Sequence, residues 1–558
     1  MKTRSNRFNN GYVGAYEGTE LGGIIGSNKN YLTALRECPI TEDFYQGYGI
    51  SGGPNYTRPS QWVDLPAVTG GNIIVGAYAV YNTDSNFASF TINTSSGNYL
   101  VDWGDGTTGS FGSGVAAYKQ YTTTSYTGLT TAVFRNYKTA LITITPITAG
   151  AVITNINFRT KHNQSGLASY YSNGWLDLRI SAPSCSSAVF SNYNFSNENR
   201  SSKLEQVEWV GEAPLTSISF LGCTSLQKII SFPSCRTVTS WQSVFHSCHM
   251  LQEIPPNMDF SNATGVFNYN FYNCYSLRKI PRINTKNCTS LVGTFMQCYS
   301  ITRLPFIDIS NATTIESIFY NCKNLEYIPY LDTRKCTNIS YAFWNCVKLK
   351  QIQPELAGAS FTTCVATFAN TSIISAPIIN TANVTTMNSM FQGCAMLKTV
   401  PQYNFSSCTN IGTMFSGCNS LEYVPDFNTP NTLATADTLF NECRNLQYCP
   451  GITLGTTTTV TNMFSRCWNM HTIPPTINFT NVTTATTAFF ENFSLSSCGV
   501  TGIGVNVDFT NACMGPTALN DLYTSLKTVA RTITVTGNWG TASDNPTIAT
   551  AKGWTVVG

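Results

Sequence analysis

One spacing governs most of this chain: a phenylalanine followed three residues later by a cysteine. The pairs are Phe220/Cys223, Phe245/Cys248, Phe271/Cys274, Phe295/Cys298, Phe319/Cys322, Phe343/Cys346, Phe391/Cys394, Phe415/Cys418, Phe440/Cys443 and Phe464/Cys467. Phe368 keeps the beat with Thr371 in the cysteine place, and Phe490 continues it without a cysteine. The steps between phenylalanines are 25, 26, 24, 24, 24, 25, 23, 24, 25, 24 and 26 residues. A unit of that length cannot bury an apolar side alone, so it must stack on copies of itself.

Within the unit, apolar residues recur at fixed offsets. After Phe319 come Cys322, Leu325, Ile328, Pro329, Leu331, Cys336 and Ile339. After Phe271 come Cys274, Leu277, Ile280, Pro281, Ile283, Cys288 and Leu291. Ile315, Ile318, Phe319 and Cys322 have the three-and-four spacing of one face of a short helix. Asn311, Thr313 and Thr314 before it suit a helix N-terminus. Leu325 to Leu331 reads as a short strand, whose Pro329 fits only where the ladder needs no donor. The expectation is a mostly β chain with short helices: a solenoid of about 12 repeats of 23–26 residues. At a strand spacing of about 4.8 Å, a dozen turns give roughly 55–60 Å of parallel ladder.

This unit resembles the BspA-like leucine-rich repeat of bacterial surface proteins. Asn383-Val384-Thr385-Thr386-Met387-Asn388-Ser389-Met390-Phe391-Gln392-Gly393-Cys394-Ala395-Met396-Leu397 follows the N-V-T-x-M-x-x-M-F-x-x-C-x-x-L pattern of one branch of that repeat. Val460-Thr461-Asn462-Met463-Phe464-Ser465-Arg466-Cys467 is a second match. The resemblance covers about 220–495 and implies a fold; the repeat is a scaffold on which different functions are carried.

Twenty cysteines raise a redox question. One column follows each phenylalanine: Cys223, Cys248, Cys274, Cys298, Cys322, Cys346, Cys394, Cys418, Cys443 and Cys467. Another lies seventeen residues after it, at Cys288, Cys336 and Cys408. Disulfides need partners at matching places, yet Ala312 and Thr371 interrupt the columns. Metal ligation needs paired short spacings such as C-x-x-C, which the chain lacks. The reading that survives is a reduced, buried packing column. His246-Ser247-Cys248-His249 has no evident fourth metal ligand and reads as a solvent-facing turn.

The N-terminal third changes character. Stretches 72–81, 87–94, 99–103 and 141–145 read as strands. Val101-Asp102-Trp103-Gly104-Asp105-Gly106-Thr107 resembles the W-D-x-G-D-G signature of PKD-type immunoglobulin-like domains, with Val101 in place of the first Trp. Asp102 and Asp105 either bind calcium or hydrogen-bond the turn, and the lack of further acidic neighbours favours the turn. The expected organisation is an extended N-terminal arm (1–71), a PKD/Ig-like β-sandwich (72–150), irregular repeats capping the solenoid (151–219), the BspA-like repeats (220–495) and a C-terminal cap (496–558). In the arm, Tyr12, Tyr16, Tyr45, Tyr48 and Trp62 are the expected docking residues, and 59–66 the docking stretch.

Function is read mainly by exclusion. Charged residues are 11%, against about 25% in ordinary soluble chains. A net charge of +3 excludes a strongly basic nucleic-acid binder. Four histidines, no nucleophile elbow and no phosphate loop argue against an enzyme, and no cofactor or metal is expected. No signal-peptide core or membrane-spanning run is visible, so no membrane insertion is expected. The variable positions of the strand face supply the expected binding surface: Arg278, Arg282, Arg303, Tyr327, Tyr330, Tyr403, Tyr423 and Tyr448. Tyrosine beside arginine suits a host-surface glycan or protein. The layout of arm, W-G-D-G motif and repeats resembles structural proteins of tailed bacteriophages. That implies a virion-surface protein made in the host cytoplasm, with residues 1–71 meeting other virion proteins and room for a homo-oligomer. A purely structural decoration protein and a bacterial cell-surface adhesin are the alternatives.

Overall fold

The computed structural model describes residues 56–84, 86–160, 174–190, 203–356, 358 and 361–558. Its first twelve strands, with a short helix (Thr123–Gly128) between the fifth and sixth, are β1 (Ile73–Tyr81), β2 (Asn86–Thr94), β3 (Asn98–Asp102), β4 (Thr108–Gly112), β5 (Ala116–Tyr121), β6 (Tyr137–Pro146), β7 (Ile153–Asn157), β8 (Trp175–Ser181), β9 (Ser187–Val189), β10 (Gln206–Trp209), β11 (Ser217–Ser219) and β12 (Lys228–Ser231). They form two sheets, ordered β12-β10-β8-β1-β6-β3-β4 and β11-β9-β7-β2-β5.

Each sheet changes character at one seam. β1 pairs antiparallel with β6 and β8, whereas β8, β10 and β12 run parallel. In the other sheet β2 pairs antiparallel with β5 and β7, and β7, β9 and β11 run parallel. The antiparallel N-terminal strands and the first coils therefore share their sheets. One apolar core runs from Ile74 to Trp554. The open edge that a solenoid must close is closed here by β1 and β2. At the seam, Gly76 admits the ring of Trp175, which a Cβ would meet at 2.5 Å.

Residues 56–66 lie as a strap on the outer side of the larger sheet. Trp62 is 2% exposed and packs with Ala77, Ala79, Tyr137 and Leu176. Its indole donates to the Tyr137 hydroxyl at 3.1 Å. Arg58 bridges to Asp177 at 2.6 Å, a carboxyl whose pKa burial raises and the guanidinium lowers in part. Trp62 is thus not available to dock on a particle: an indole beside two alanines completes this chain's own core. Tyr12, Tyr16, Tyr45 and Tyr48 lie outside the described residues.

The W-G-D-G turn is held by its own chain. Asp102 accepts from the Gly104 amide at 3.0 Å, and Asp105 accepts from the Thr107 hydroxyl and pairs with Lys119 at 2.9 Å. Gly104 has φ +74, and a side chain there would collide with the Leu141 carbonyl.

In the repeats the expected short helix is absent. Ile315 to Cys322 is a run of tight turns. The Ile318, Tyr320 and Cys322 amides bond three residues back, to Ile315, Ser317 and Phe319. The amides between them leave the coil: Ile315, Ser317, Phe319 and Asn321 donate to Asn338, Ser340, Ala342 and Trp344 of the next coil, at 2.7–3.1 Å. Ser317 and Asn321 have φ of +55 and +62, and pairs of left-handed residues four apart recur from coil to coil. An α-helix cannot hold a left-handed residue every turn. The apolar spacing of three and four was real, but turns produce it. The same pattern repeats at 387/389/391/393 and 411/413/415/417, always with the amide pointing toward the C-terminal end of the stack.

Elsewhere the ladder is thin. Ser290, Thr314, Asn338, Thr363, Thr386, Asn410 and Thr435 make a chain of single-residue parallel bridges. A second row includes Arg303 with Tyr327 and Ser375 with Thr399 and Tyr423. Exposed threonines thicken the first row: the Thr313 hydroxyl donates to Thr289 O at 3.0 Å, Thr337 to Thr313 at 3.1 Å and Thr385 to Thr362 at 3.2 Å. Low charge has its cause here, since adjacent coils are tied mainly by backbone bonds and hydroxyls, with ion pairs such as Arg466 to Glu442 and Glu491 few in number among the described residues.

The core of the stack is a phenylalanine column. Ring centroids lie 5.3–6.0 Å apart from Phe220 to Phe489, and the planes stay within 26° of parallel. The last repeat contributes Phe489, not Phe490: Phe489 is fully buried and stacks at 4.5 Å on Phe509, while Phe490 is half-buried. All nineteen described cysteines are free, and all but Cys513 are buried. In the main column each thiol donates to the phenylalanine carbonyl of the preceding coil: Cys298 to Phe271, Cys322 to Phe295, Cys346 to Phe319 and Cys418 to Phe391, at 3.0–3.1 Å. The same carbonyl accepts its own turn's cysteine amide, as Phe319 accepts from Cys322 at 3.0 Å. Cysteine is therefore more than a small hydrophobe here. It gives the second lone pair of a buried carbonyl a donor.

The C-terminal end carries a helix, Pro516–Ser525, burying Leu519, Leu522 and Tyr523, and a three-stranded sheet of Val507–Asp508, Thr532–Thr534 and Thr555–Val557.

Candidate functional site

Offsets counted from the column phenylalanine place every surface residue. The row eight residues on holds Arg303, Tyr327, Tyr423 and Tyr448, joined in register to neighbours such as Thr399 and Thr472. Tyr423 and Tyr448 are 53% and 60% exposed. Arg282 and Tyr330 lie eleven residues on and are half-buried, with the Arg282 guanidinium over Phe306 at 5.6 Å. Arg278, seven residues on, is half-buried.

Tyr403 does not belong to this surface. It lies twelve residues after Phe391, at the place of Ile283, Ile307 and Leu331, and is 2% exposed. Its hydroxyl donates to the Pro377 carbonyl at 2.8 Å. A one-residue difference in offset turns a side chain from one side of a strand to the other. The count from Phe391 was available in the sequence and identifies Tyr403 as a core residue.

A stronger constellation lies on the turn side, which the sequence reading passed over. The place directly after the column phenylalanine is filled by His246, Tyr272, Met296, Tyr320 and Trp344 in five successive coils. The place four residues after it holds His249, Tyr275, Tyr299 and Lys323. Neighbours stack along the axis: His246 on Tyr272 at 4.7 Å, His249 on Tyr275 at 4.5 Å, Tyr275 on Tyr299 at 5.0 Å and Tyr320 on Trp344 at 4.4 Å. Lys323 lies over Tyr299 at 5.6 Å. Tyr269, 37% exposed, extends the patch, and Asn345 donates to Asn321 along its margin at 2.6 Å. Burial drives the His246 pKa down to about 4 and lowers that of His249, so both are neutral at pH 7. The patch carries one positive charge, Lys323, among these residues.

The fold does not require these aromatics. In the next coils the first place is Ala369, Gln392 and Ser416, and the phenylalanine column and coil-to-coil bonds continue unchanged. Further along, the second place holds Arg444, which lies over Trp468 at 4.3 Å, and Trp468 lies 5.9 Å from Phe493, while two residues after the column phenylalanine Arg466 joins Glu442 and Glu491 at 3.2 and 2.9 Å.

Chemistry of other kinds finds no constellation. Among the described residues no group of three or more His, Cys, Asp and Glu side chains converges as a metal site, and no helix is long and apolar enough to cross a membrane.

Comparison with known proteins follows the repeats. Residues 239–356 and 360–476, under half of the chain, match a family described as "Mycoplasma protein of unknown function, DUF285". No curated protein matches the chain. Among solved structures, a leucine-rich repeat protein from Bacteroides ovatus is similar at 15% identity and a TM-score of 0.35, covering 65% of this chain and 92% of that one. A leucine-rich repeat protein from Eubacterium ventriosum is similar at 17% identity and a TM-score of 0.34, covering 58% and 91%. The repeat region is thus similar to a family defined by its sequence and not by an activity.

Proposed function

We propose that this chain is a non-enzymatic adhesion protein whose repeat stack binds glycan or protein on a cell surface. The observation that carries this reading is the near-parallel stacking of turn-side rings in successive coils from His246 to Trp344, against a single tilted pair, Trp468 and Phe493 at 5.9 Å, further along. A scaffold needs one residue per coil at that place, and Ala369, Gln392, Ser416, Asn441 and Ser465 serve it in the coils that follow. Large amphipathic rings at a surface supply contact area at low entropic cost. Arg303, Tyr327, Tyr423 and Tyr448 form a second, more open row on the strand side, and the same reading assigns them to the rim.

In this proposal the arm, residues 1–71, attaches the protein to a phage particle. Two things support it: the resemblance of the layout to tailed-phage structural proteins, and a set of buried free thiols that a cytoplasmic folding environment keeps reduced.

The test is cell and glycan-array binding by the full chain and by Tyr272→Ala/Tyr320→Ala and Tyr327→Ala/Tyr423→Ala double variants. The turn-side variant loses binding and the strand-side variant keeps most of it. Equal binding by all three removes both surfaces. Co-purification with phage particles, lost on deletion of residues 1–55 with the strap at 56–66 kept, tests the attachment.

A further inference from the structure

The turn segments are polar in one direction. From the Tyr269 coil to the Arg466 coil, alternate amides point toward the C-terminal end of the stack, and the carbonyls that receive them point back. Each coil answers at least three of the four donors of the one before, the first-place amides of Ile339 and Ala436 being left without a bond to the next coil among the described residues. The last repeat is different. Its four donors are Ala485, Thr487, Phe489 and Glu491, and only Glu491 is answered, by the Thr510 carbonyl at 3.1 Å. The cap coil meets the repeat at Phe489 and Phe509, stacked at 4.5 Å, and diverges from it before that point.

The divergence leaves a wedge. It is a cleft of about 570 Å³ bounded by Thr484, Ala485 and Thr486 on the repeat side and by Asn506, Arg531 and Thr555 on the cap side. The Ala485 and Thr487 amides take no hydrogen-bond partner among the described residues. Arg531 is exposed, its guanidinium is steadied by two carbonyls, Gly504 at 3.2 Å and Ala530 at 3.0 Å, and it makes no ion pair among the described residues. No acidic residue lines the cleft.

Aligned peptide dipoles end in partial charge, and a row of unanswered N–H groups favours an anion. The positive end here is the C-terminal one, because the amides point that way. A guanidinium beside such donors matches a carboxylate in geometry and charge. The remaining walls are threonine hydroxyls and Asn506, which suit a hydroxylated ligand better than an apolar one.

The geometry points to a carboxylate-binding site at the C-terminal end of the stack, taking an acidic sugar of the hexuronic acid class. The carboxylate lies between Arg531 and the edge at Ala485 and Thr486, and the ring hydroxyls face the threonines. The sugar half rests on the adhesion reading above; the carboxylate half rests on the wedge alone.

The experiment is ligand-observed NMR titration of the full chain with glucuronate, glucose and acetate. Glucuronate binds at least tenfold more tightly than glucose and than acetate. Arg531→Gln weakens glucuronate at least tenfold, and Arg531→Lys restores part of it. Tyr272→Ala/Tyr320→Ala, in another place, leaves glucuronate binding unchanged even where it abolishes cell adhesion. Hydrogen exchange of peptides spanning 483–487 slows on addition of glucuronate in the unmodified chain. Equal binding of glucuronate and glucose, or an Arg531→Gln variant with unaltered affinity, overturns the site. Acetate binding as tightly as glucuronate overturns the sugar assignment.

Discussion

Replacing Phe391 by alanine tests whether the stack is held together coil by coil. Phe391 is fully buried and stacked between Phe368 at 5.4 Å and Phe415 at 5.7 Å. Its carbonyl accepts from the Cys394 amide and the Cys418 thiol. Removing a buried phenylalanine side chain costs about 3–5 kcal/mol. Each lost aromatic pair adds about 0.5–1.5 kcal/mol. The sum, about 4–8 kcal/mol, falls on two interfaces of a one-dimensional array in which a coil contacts only its neighbours. That is comparable with the whole stability of an ordinary domain, about 5–15 kcal/mol. The expected result is local. Hydrogen exchange followed peptide by peptide in rising urea shows residues 368–440 losing protection first, by more than 1 M relative to the unmodified chain on typical slopes of about 1–3 kcal/mol/M. The strands β1–β8 and the helix Pro516–Ser525 hold to their original midpoints. A single transition, moved equally in every peptide, refutes nearest-neighbour coupling; no movement at all refutes the column as the source of stability.

Cys322→Thr is tolerated better than Cys322→Val by about 1 kcal/mol, because a threonine hydroxyl can bond a column carbonyl as Thr371 does with Phe368 at 2.8 Å; chemical denaturation of the two variants checks it. A thiol reagent on the native chain modifies Cys513 and spares the column, whose thiols are buried and, as at Cys322, pushed up to about 12 by desolvation; mass spectrometry of labelled peptides reads this directly. The folded pKa of His246 lies near 4, below the unfolded value of about 6.5. Folding therefore excludes a proton that the unfolded chain binds, and stability is full above pH 6.5 and falls as pH drops from 6.5 toward 4. His246→Gln flattens that part of a melting-temperature profile. Trp62→Ala frees the strap, and limited proteolysis between residues 56 and 71 then outpaces cleavage of the unmodified chain.

Much of the architecture was legible because periodicity is a one-dimensional property. The phenylalanine beat, the strand positions near 73–81 and 86–94 and the helix after Pro516 all lie where local pattern places them. What pattern cannot supply is the direction of a hydrogen bond. Ile315, Ile318, Phe319 and Cys322 have helical spacing whether their amides close a turn or reach the next coil, and left-handed Ser317 and Asn321 decide for the next coil. Offsets from Phe391 would have excluded Tyr403 from the surface, since it stands at the place of Leu331. The aromatic patch was visible as letters but not as a patch. Its members lie 24–26 residues apart, and only stacking brings His249, Tyr275 and Tyr299 within 5.0 Å of one another in turn.

The amino-acid sequence by itself determined that this chain stacks, how often, and on which side chains, because a repeat too short to bury its own apolar face has one physical outcome. The tertiary structure alone decided the polarity of the stack and its ends. Coil-to-coil bonding aligns the amides in one sense, and the antiparallel N-terminal strands take up the N-terminal edge. At the C-terminal edge the cap diverges and leaves donors open beside Arg531.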